Sequence, residues 1–401
     1  MTEKTIKIYN AKLISPQRVI DQAIVLIKNG KIADILEEDI EIPNAIHIDA
    51  KGKYLSPGFI DLHIHGGGGA DFMDGEVEAF LKVAETHVKF GTTAMVATSL
   101  TSDKANLLNT LKVYEEAHLK NKRGAAFLGL HIEGPYFSMN QRGAQDPRYI
   151  RDPDPDEYRE IVQSSNAIVR WSAAPERKGA IEFGRYLRQH NIIPSVAHTD
   201  AIYEEVVEAF ENGYTLATHL YSAMSSVTRK NAFRYAGVIE AAFLIDEMDV
   251  EIIADGVHLP APLLKLVYKF KGPDRIALIT DAMRGAAMPP GPSILGSKEN
   301  GLAVIVEDDV AKLPDRSSFA GSVATADRLL RTMVNVAEVP LVEAVKMLSY
   351  TPARIMNVLD RKGSISVGKD ADLVIFDADF NIHYTLVNGV VLYERTSLLS
   401  H

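Results

Sequence analysis

A chain of 401 residues with 46% hydrophobic and 24% charged residues has the balance and length of a globular protein with one large core, not of a disordered or fibrous one. Its formal charge of −10 excludes the broad positive field that nucleic acid or an anionic membrane would demand, so neither is expected as a partner and any anion must be bound locally. The absence of cysteine excludes disulfides and thiolate ligands and leaves imidazole and carboxylate as the strong donors for a metal.

The opening residues, Met1 to Thr5, lead into alternating apolar and polar positions without the continuous apolar core of a signal peptide. No later stretch reaches membrane-span length, and a cytoplasmic location is the expectation. Residues 23–27 and 31–35 read as strands around Asn29-Gly30, the pair a tight hairpin favours. Residues 373–376 and 390–393, with Asn388-Gly389 before the second, repeat the pattern at the other end of the chain. Neither end can bury a core alone, so residues 1–54 and 359–401 are expected to pack together as one small β domain around residues 55–358.

Eight apolar runs separated by amphipathic stretches fill the middle: 58–64, 92–98, 126–133, 168–173, 193–197, 215–218, 250–254 and 276–280. Between the first two, residues 76–90 read as a helix that places Val77, Phe80, Leu81, Ala84 and Val88 on one face and meets Gly91 at its C-terminus. The expected fold is therefore α/β: a (β/α)8 TIM-like barrel with a small β-sandwich domain built from both chain ends. An open doubly wound sheet is the alternative that counting runs leaves.

A barrel works at the C-terminal ends of its strands, and ligand-type residues collect there. The first run ends in Asp61-Leu62-His63-Ile64-His65, and strand alternation turns His63 and His65 the same way. The third ends in His131-Ile132-Glu133, the fifth in His198, the sixth in His219 and the eighth in Asp281. A lone histidine at a strand end is more often structural than a ligand, and a lone aspartate there is often a helix N-cap. Five strands finishing this way on one face point instead to a shared hard or borderline cation. His131 reads as a residue that orients a ligand or substrate, and His47, His87, His118, His190, His383 and His401 read as structural.

The segments 57–66, 131–135, 197–199, 218–224, 253–258, 280–282, 320–322 and 368–374 together resemble the N-acetylglucosamine-6-phosphate deacetylase family of the amidohydrolase superfamily, over essentially the whole chain. The resemblance implies that Glu133, His198 and His219 hold one divalent metal ion, while His63 and His65, with Glu133 bridging and Asp281 beside them, hold a second. Some members lack one first-strand histidine and use a single ion. Both are present here, so two ions are expected, zinc or iron by preference and manganese or cobalt as alternatives. It further implies Asp281 as the residue that takes a proton from water and hands it to the leaving nitrogen, with His258 polarising the acetyl carbonyl. A phosphorylated amino-sugar substrate and a homodimer follow in the same way.

Departures from the family fall where sugar phosphate is recognised. Ser222 stands in place of the usual Asn, beside Ala223, in a segment whose backbone N–H groups hold phosphate. The segment that usually supplies an arginine from the neighbouring subunit lacks its Glu-Pro-Gly, which leaves Arg229, Lys230 and Arg234 as candidates or as a solvated loop. Gln145 replaces a substrate-contacting histidine, and Phe319, Ala320 and Gly321 complete the expected substrate contacts. N-acetylgalactosamine-6-phosphate is an alternative substrate, and a cyclic amide, N-acyl amino acid or dipeptide a more distant one. A non-catalytic assembly subunit would predict missing ligands, and all six metal-site residues are present.

Overall fold

Eight parallel strands form the barrel: β1 (Phe59–Ile64), β2 (Thr92–Thr98), β3 (Ala126–Glu133), β4 (Ile168–Ala173), β5 (Ile193–Val196), β6 (Leu216–Ala217), β7 (Asp249–Ile253) and β8 (Ile276–Ile279). The computed structural model describes residues 5–38 and 40–395, so His401 lies outside the described residues. β1 and β8 meet through a parallel bridge between Ile64 and Ala282, and Asp281 N–H donates to the His63 carbonyl at 2.9 Å. Closure of the barrel thus sets the first and last predicted ligand strands side by side.

Alternation along each strand divides the core. Met95, Leu130, Trp171, Val250 and Leu278 face outward into the cluster shared with the helices, where Trp171 lies edge-on to Phe183. Ile60, Leu62, Val96, Ile253 and Ile279 face inward and are capped from below by Ala353, Ile355 and Met356. Each of the Val, Leu and Ile side chains among them contributes roughly 1.5–3 kcal/mol when fully buried. Above this apolar plug the interior turns polar, with Arg170, Ser172, Ser195, Thr218 and Glu251 all buried.

The helix expected over 76–90 runs as Val77–His87, tightens into a 3-10 turn at Val88–Phe90 and stops at Gly91, whose φ of 90° suits a residue without Cβ. The end sheet has eight strands, and Tyr54–Pro57 pairs antiparallel with Leu373–Phe376 to join the two chain ends. Asn29 and Gly30 both take positive φ at their hairpin, as do Asn388 and Gly389 at theirs. After β8 the chain makes an antiparallel four-stranded excursion that the repeat of apolar runs does not predict, Gly291–Leu295, Leu302–Glu307, Val310–Lys312 and Phe319–Ser322, before the next helix.

His87 is fully buried, and its Nε2–H donates to the Gly66 carbonyl at 3.0 Å. Burial pushes its imidazole pKa down to about 4. Between pH 6.5 and 4 the unfolded chain therefore binds a proton that the folded chain refuses, so stability is present above the ordinary histidine pKa and is lost as pH falls through this window. The full effect is on the order of 3 kcal/mol. His87→Gln, which keeps a donor for Gly66, is expected to flatten this acid limb in urea unfolding followed from pH 7 to about 4.5; a limb of unchanged slope would remove His87 as its source.

Candidate active site

Six side chains from five strand ends converge at the mouth of the barrel. His63 and His65 bring their Nε2 atoms within 3.1 Å of each other. Glu133 Oε1 lies 3.1 Å from His219 Nε2, 3.3 Å from His198 Nε2 and 3.5 Å from His63 Nε2, and its Oε2 lies 3.4 Å from His65 Nε2. Asp281 Oδ1 stands 3.1 Å from His65 Nε2 and 3.5 Å from His63 Nε2. Among the described residues two triads meet the requirement for an ion, His63–His65–Glu133 and Glu133–His198–His219, with Glu133 common to both. Donors 2.0–2.1 Å from one ion stand ~3.3 Å apart in a tetrahedron, close to the separations seen, so imidazole and carboxylate are spaced as well as chosen for a divalent cation.

The backbone is bent to achieve this. His198, His219 and Asp281 have φ of 47°, 30° and 48°, left-handed values that cost non-glycine residues about 1–3 kcal/mol each and are commonly held only where the surroundings enforce them. Asp61 supplies part of that enforcement: buried within β1, it accepts from Thr280 Oγ1 at 2.5 Å and from the N–H groups of Thr280 and His63. It ties the His63 strand to the residue before Asp281. The second nitrogen of two candidate ligands is also held, His65 Nδ1 by the Thr98 carbonyl at 3.2 Å and His198 Nδ1 by the Gln141 carbonyl at 2.8 Å.

The electrostatics follow from the crowding. Burial opposes a charged His63 imidazole, yet the carboxylates of Glu133 and Asp281 carry its pKa up to about 10. Burial likewise opposes charge on Glu133, but His63 and hydrogen bonds from His198 and His219 hold its carboxyl well below the usual range. His219 is pushed down by burial. A site that gathers positive charge around two buried carboxylates is one where a cation can replace protons.

A cavity of about 490 Å³ opens above the cluster and is lined by His65, Glu133, His198, His219 and Asp281. Gln145, Ser222, Ala223, His258, Phe319 and Gly321 line it as well, whereas Ala320 is buried in the apolar core of the excursion. Gln145 donates to Glu133 Oε2 at 2.8 Å and accepts from the Thr101 N–H, so it braces the carboxylate as well as facing the cavity. His258 Nδ1 is 2.7 Å from Asp255 Oδ2 and its ring packs on Phe319, which leaves Nε2 as its free edge. His131 does not line the cavity; it is buried beneath, bonded to Ser172 Oγ.

Arg229, Lys230 and Arg234 do not line this cavity of their own chain, and the expectation placed their role at the neighbouring subunit's pocket. They lie on an exposed hairpin, Thr228–Lys230 and Phe233–Tyr235, in place of the loop considered from sequence. The cations that do line the cavity are Lys312 and Arg316, both on the excursion. Their sequence surroundings carry only a mixed charge cluster, so no signal short of the fold marks them. The remaining histidines among the described residues have local partners: His47 beside Tyr9, His118 stacked on Tyr114, His190 on the Tyr186 carbonyl and His383 on Asp377.

A (β/α)8 barrel with histidines and acids gathered at its strand ends defines a metal-dependent hydrolase. Comparison with known proteins makes the class specific. Residues 54–392 match the model of the Amidohydrolase family, and the chain belongs to that family and, within it, to the N-acetylglucosamine-6-phosphate deacetylases. It is 34% identical over 382 residues to N-acetylglucosamine-6-phosphate deacetylase of Lysinibacillus sphaericus, covering 94% of this chain and 95% of that one. It is 30% identical over 380 residues to N-acetylgalactosamine-6-phosphate deacetylase of Escherichia coli O157:H7, covering 94% and 97%. The crystal structure of N-acetylglucosamine-6-phosphate deacetylase from Pasteurella multocida superposes with a TM-score of 0.91 at 30% identity, covering 98% of this chain and all of that one.

Proposed function

We propose that this chain hydrolyses the N-acetyl group of an amino-sugar 6-phosphate, N-acetylglucosamine-6-phosphate first, to the free amine and acetate. The observation that carries the reading is the six-residue cluster opening into a cavity, in a chain that matches such a deacetylase over 94% of its length. Glu133, His198 and His219 would hold one ion, and His63, His65 and Glu133, with Asp281 beside them, a second. Zinc or iron suits these donors best, with manganese and cobalt also compatible. Such an ion lowers the pKa of water from 15.7 to about 7 and polarises a carbonyl.

The protein groups account for the rest. Asp281, the carboxylate of the cluster that stands outside both triads, takes the proton of the attacking water at Oδ1 and returns it to the departing nitrogen. His258, its ring fixed by Asp255 and Phe319, directs Nε2 at the acetyl oxygen. Ser222, Ala223, Lys312 and Arg316 all line the cavity, and the two cations would hold the phosphate.

The deciding experiment incubates metal-analysed protein with N-acetylglucosamine, N-acetylgalactosamine and their 6-phosphates and measures acetate. Fastest release from N-acetylglucosamine-6-phosphate is expected; faster release from the galactosamine compound would move the assignment to the activity named for the Escherichia coli relative. Release from neither phosphate would refute the reading. Arg316→Ala is expected to raise KM for the phosphorylated sugar about tenfold while leaving the unphosphorylated one unaffected.

A further inference from the structure

The polar layer inside the barrel contains an ion pair that the proposed reaction does not use. Arg170 on β4 and Glu251 on β7 are both fully buried beneath the site. All five guanidinium N–H donors are engaged: two on Glu251, one on Ser195 Oγ at 3.0 Å, one on Thr218 Oγ1 at 2.6 Å and one on the Leu62 carbonyl at 3.4 Å. Replacing such a pair with apolar residues is often neutral or stabilising, so stability alone gives little reason for placing it in a barrel interior.

What the pair faces is His63. The Nδ1 of this buried histidine has no hydrogen-bond partner, and the carboxylate oxygen next to it is Glu251 Oε2, 3.6 Å away. That separation exceeds a hydrogen bond, and a ring movement of about 0.5 Å brings it within range. Arg170 holds the Glu251 plane, so the carboxylate stays put while the imidazole approaches. A carboxylate can only accept, which assigns the proton to Nδ1 and leaves the Nε2 lone pair directed at Glu133, His65 and Asp281.

We infer that the buried Arg170–Glu251 pair is a positioning device for His63, fixing its tautomer and ring so that the His63–His65–Glu133 triad binds its cation, while the Glu133–His198–His219 triad does without it. This inference rests on the two-ion reading above. Partners of this kind behind a metal-binding histidine commonly govern affinity by about 10- to 100-fold.

The test is zinc titration of metal-stripped protein, read as stoichiometry and affinity by chelator competition, with circular dichroism to establish that each variant is folded. Two double variants remove the ion pair without stranding a charge. Arg170→Met with Glu251→Leu also removes the acceptor facing Nδ1, whereas Arg170→Gln with Glu251→Gln retains an amide oxygen there. The apolar variant should keep one tight ion and bind the second about 10- to 100-fold more weakly, and the amide variant should recover much of that loss. In a His65→Ala background the apolar pair should leave the remaining ion undisturbed. A wild-type protein that binds a single ion overturns the two-ion reading and this inference with it. Two ions in the wild type and unchanged affinity in both double variants overturn the inference alone, as does an equal loss in both, which would reflect barrel packing rather than an acceptor at Nδ1.

Discussion

Asp281→Asn is expected to lower kcat on N-acetylglucosamine-6-phosphate by about 10²–10⁴, the usual worth of a positioned acid–base group, while leaving fold and metal content close to wild type. The choice of asparagine matters because Asp281 has a φ of 48°. Asparagine and aspartate tolerate the left-handed region better than other branched or bulky residues, so the substitution leaves the bend after β8 intact. It also keeps an oxygen where Oδ1 now stands 3.1 Å from His65 Nε2. What it removes is the ability to accept a proton. Burial works against the Asp281 charge, but His63 and the hydrogen bond from His65 hold its pKa below the ordinary carboxylate value, so the wild-type group is a base throughout the neutral range. Steady-state kinetics with parallel metal analysis distinguish the outcomes: low kcat at full metal content supports proton transfer, and low kcat with lost metal reassigns Asp281 to ion binding. Near-normal turnover removes it from the mechanism.

Much of this site is legible in the chain because barrel geometry converts sequence position into spatial position. A ligand-type residue closing an apolar run must emerge on the working face, so His63, His65, Glu133, His198, His219 and Asp281 can be gathered without coordinates. Four kinds of feature escape that logic. The left-handed φ at His198 and His219 is imposed by neighbours, and neither residue is a glycine that would announce it. The excursion bearing Lys312, Arg316 and Phe319 follows the eighth run and so lies outside the repeat of strands and helices, and its packing with Met283 and Leu100 makes it a wall of the cavity. The Arg170–Glu251 pair is invisible because a charged residue inside an apolar strand run gives no clue to its partner 81 positions away. Asp61 lies in plain view beside His63, yet its bonds to Thr280 depend on a barrel closing on itself.

Glu133→Ala should produce the largest loss of all, abolishing both ions together. Glu133 is the only residue common to the two candidate triads, with Oε1 near three imidazoles and Oε2 near His65 and Gln145. Removing the carboxylate takes away the negative charge that offsets a cation in each triad and leaves four imidazoles crowded in a buried space. Without an ion the acidified water is forfeited, and turnover should fall by at least about 10³-fold, to the level of chelator-treated wild type. His219→Ala breaks only one triad and should keep one ion, so the two variants separate a shared ligand from an unshared one. Thermal unfolding provides a reading independent of catalysis. An ion at a hundred times its Kd stabilises the folded state by about 2.7 kcal/mol, so added zinc should raise the Tm of metal-stripped wild type and of His219→Ala but not of Glu133→Ala. A zinc-dependent Tm rise in Glu133→Ala equal to that of the wild type would mean that the histidines bind metal without it, and the bridging role would be lost.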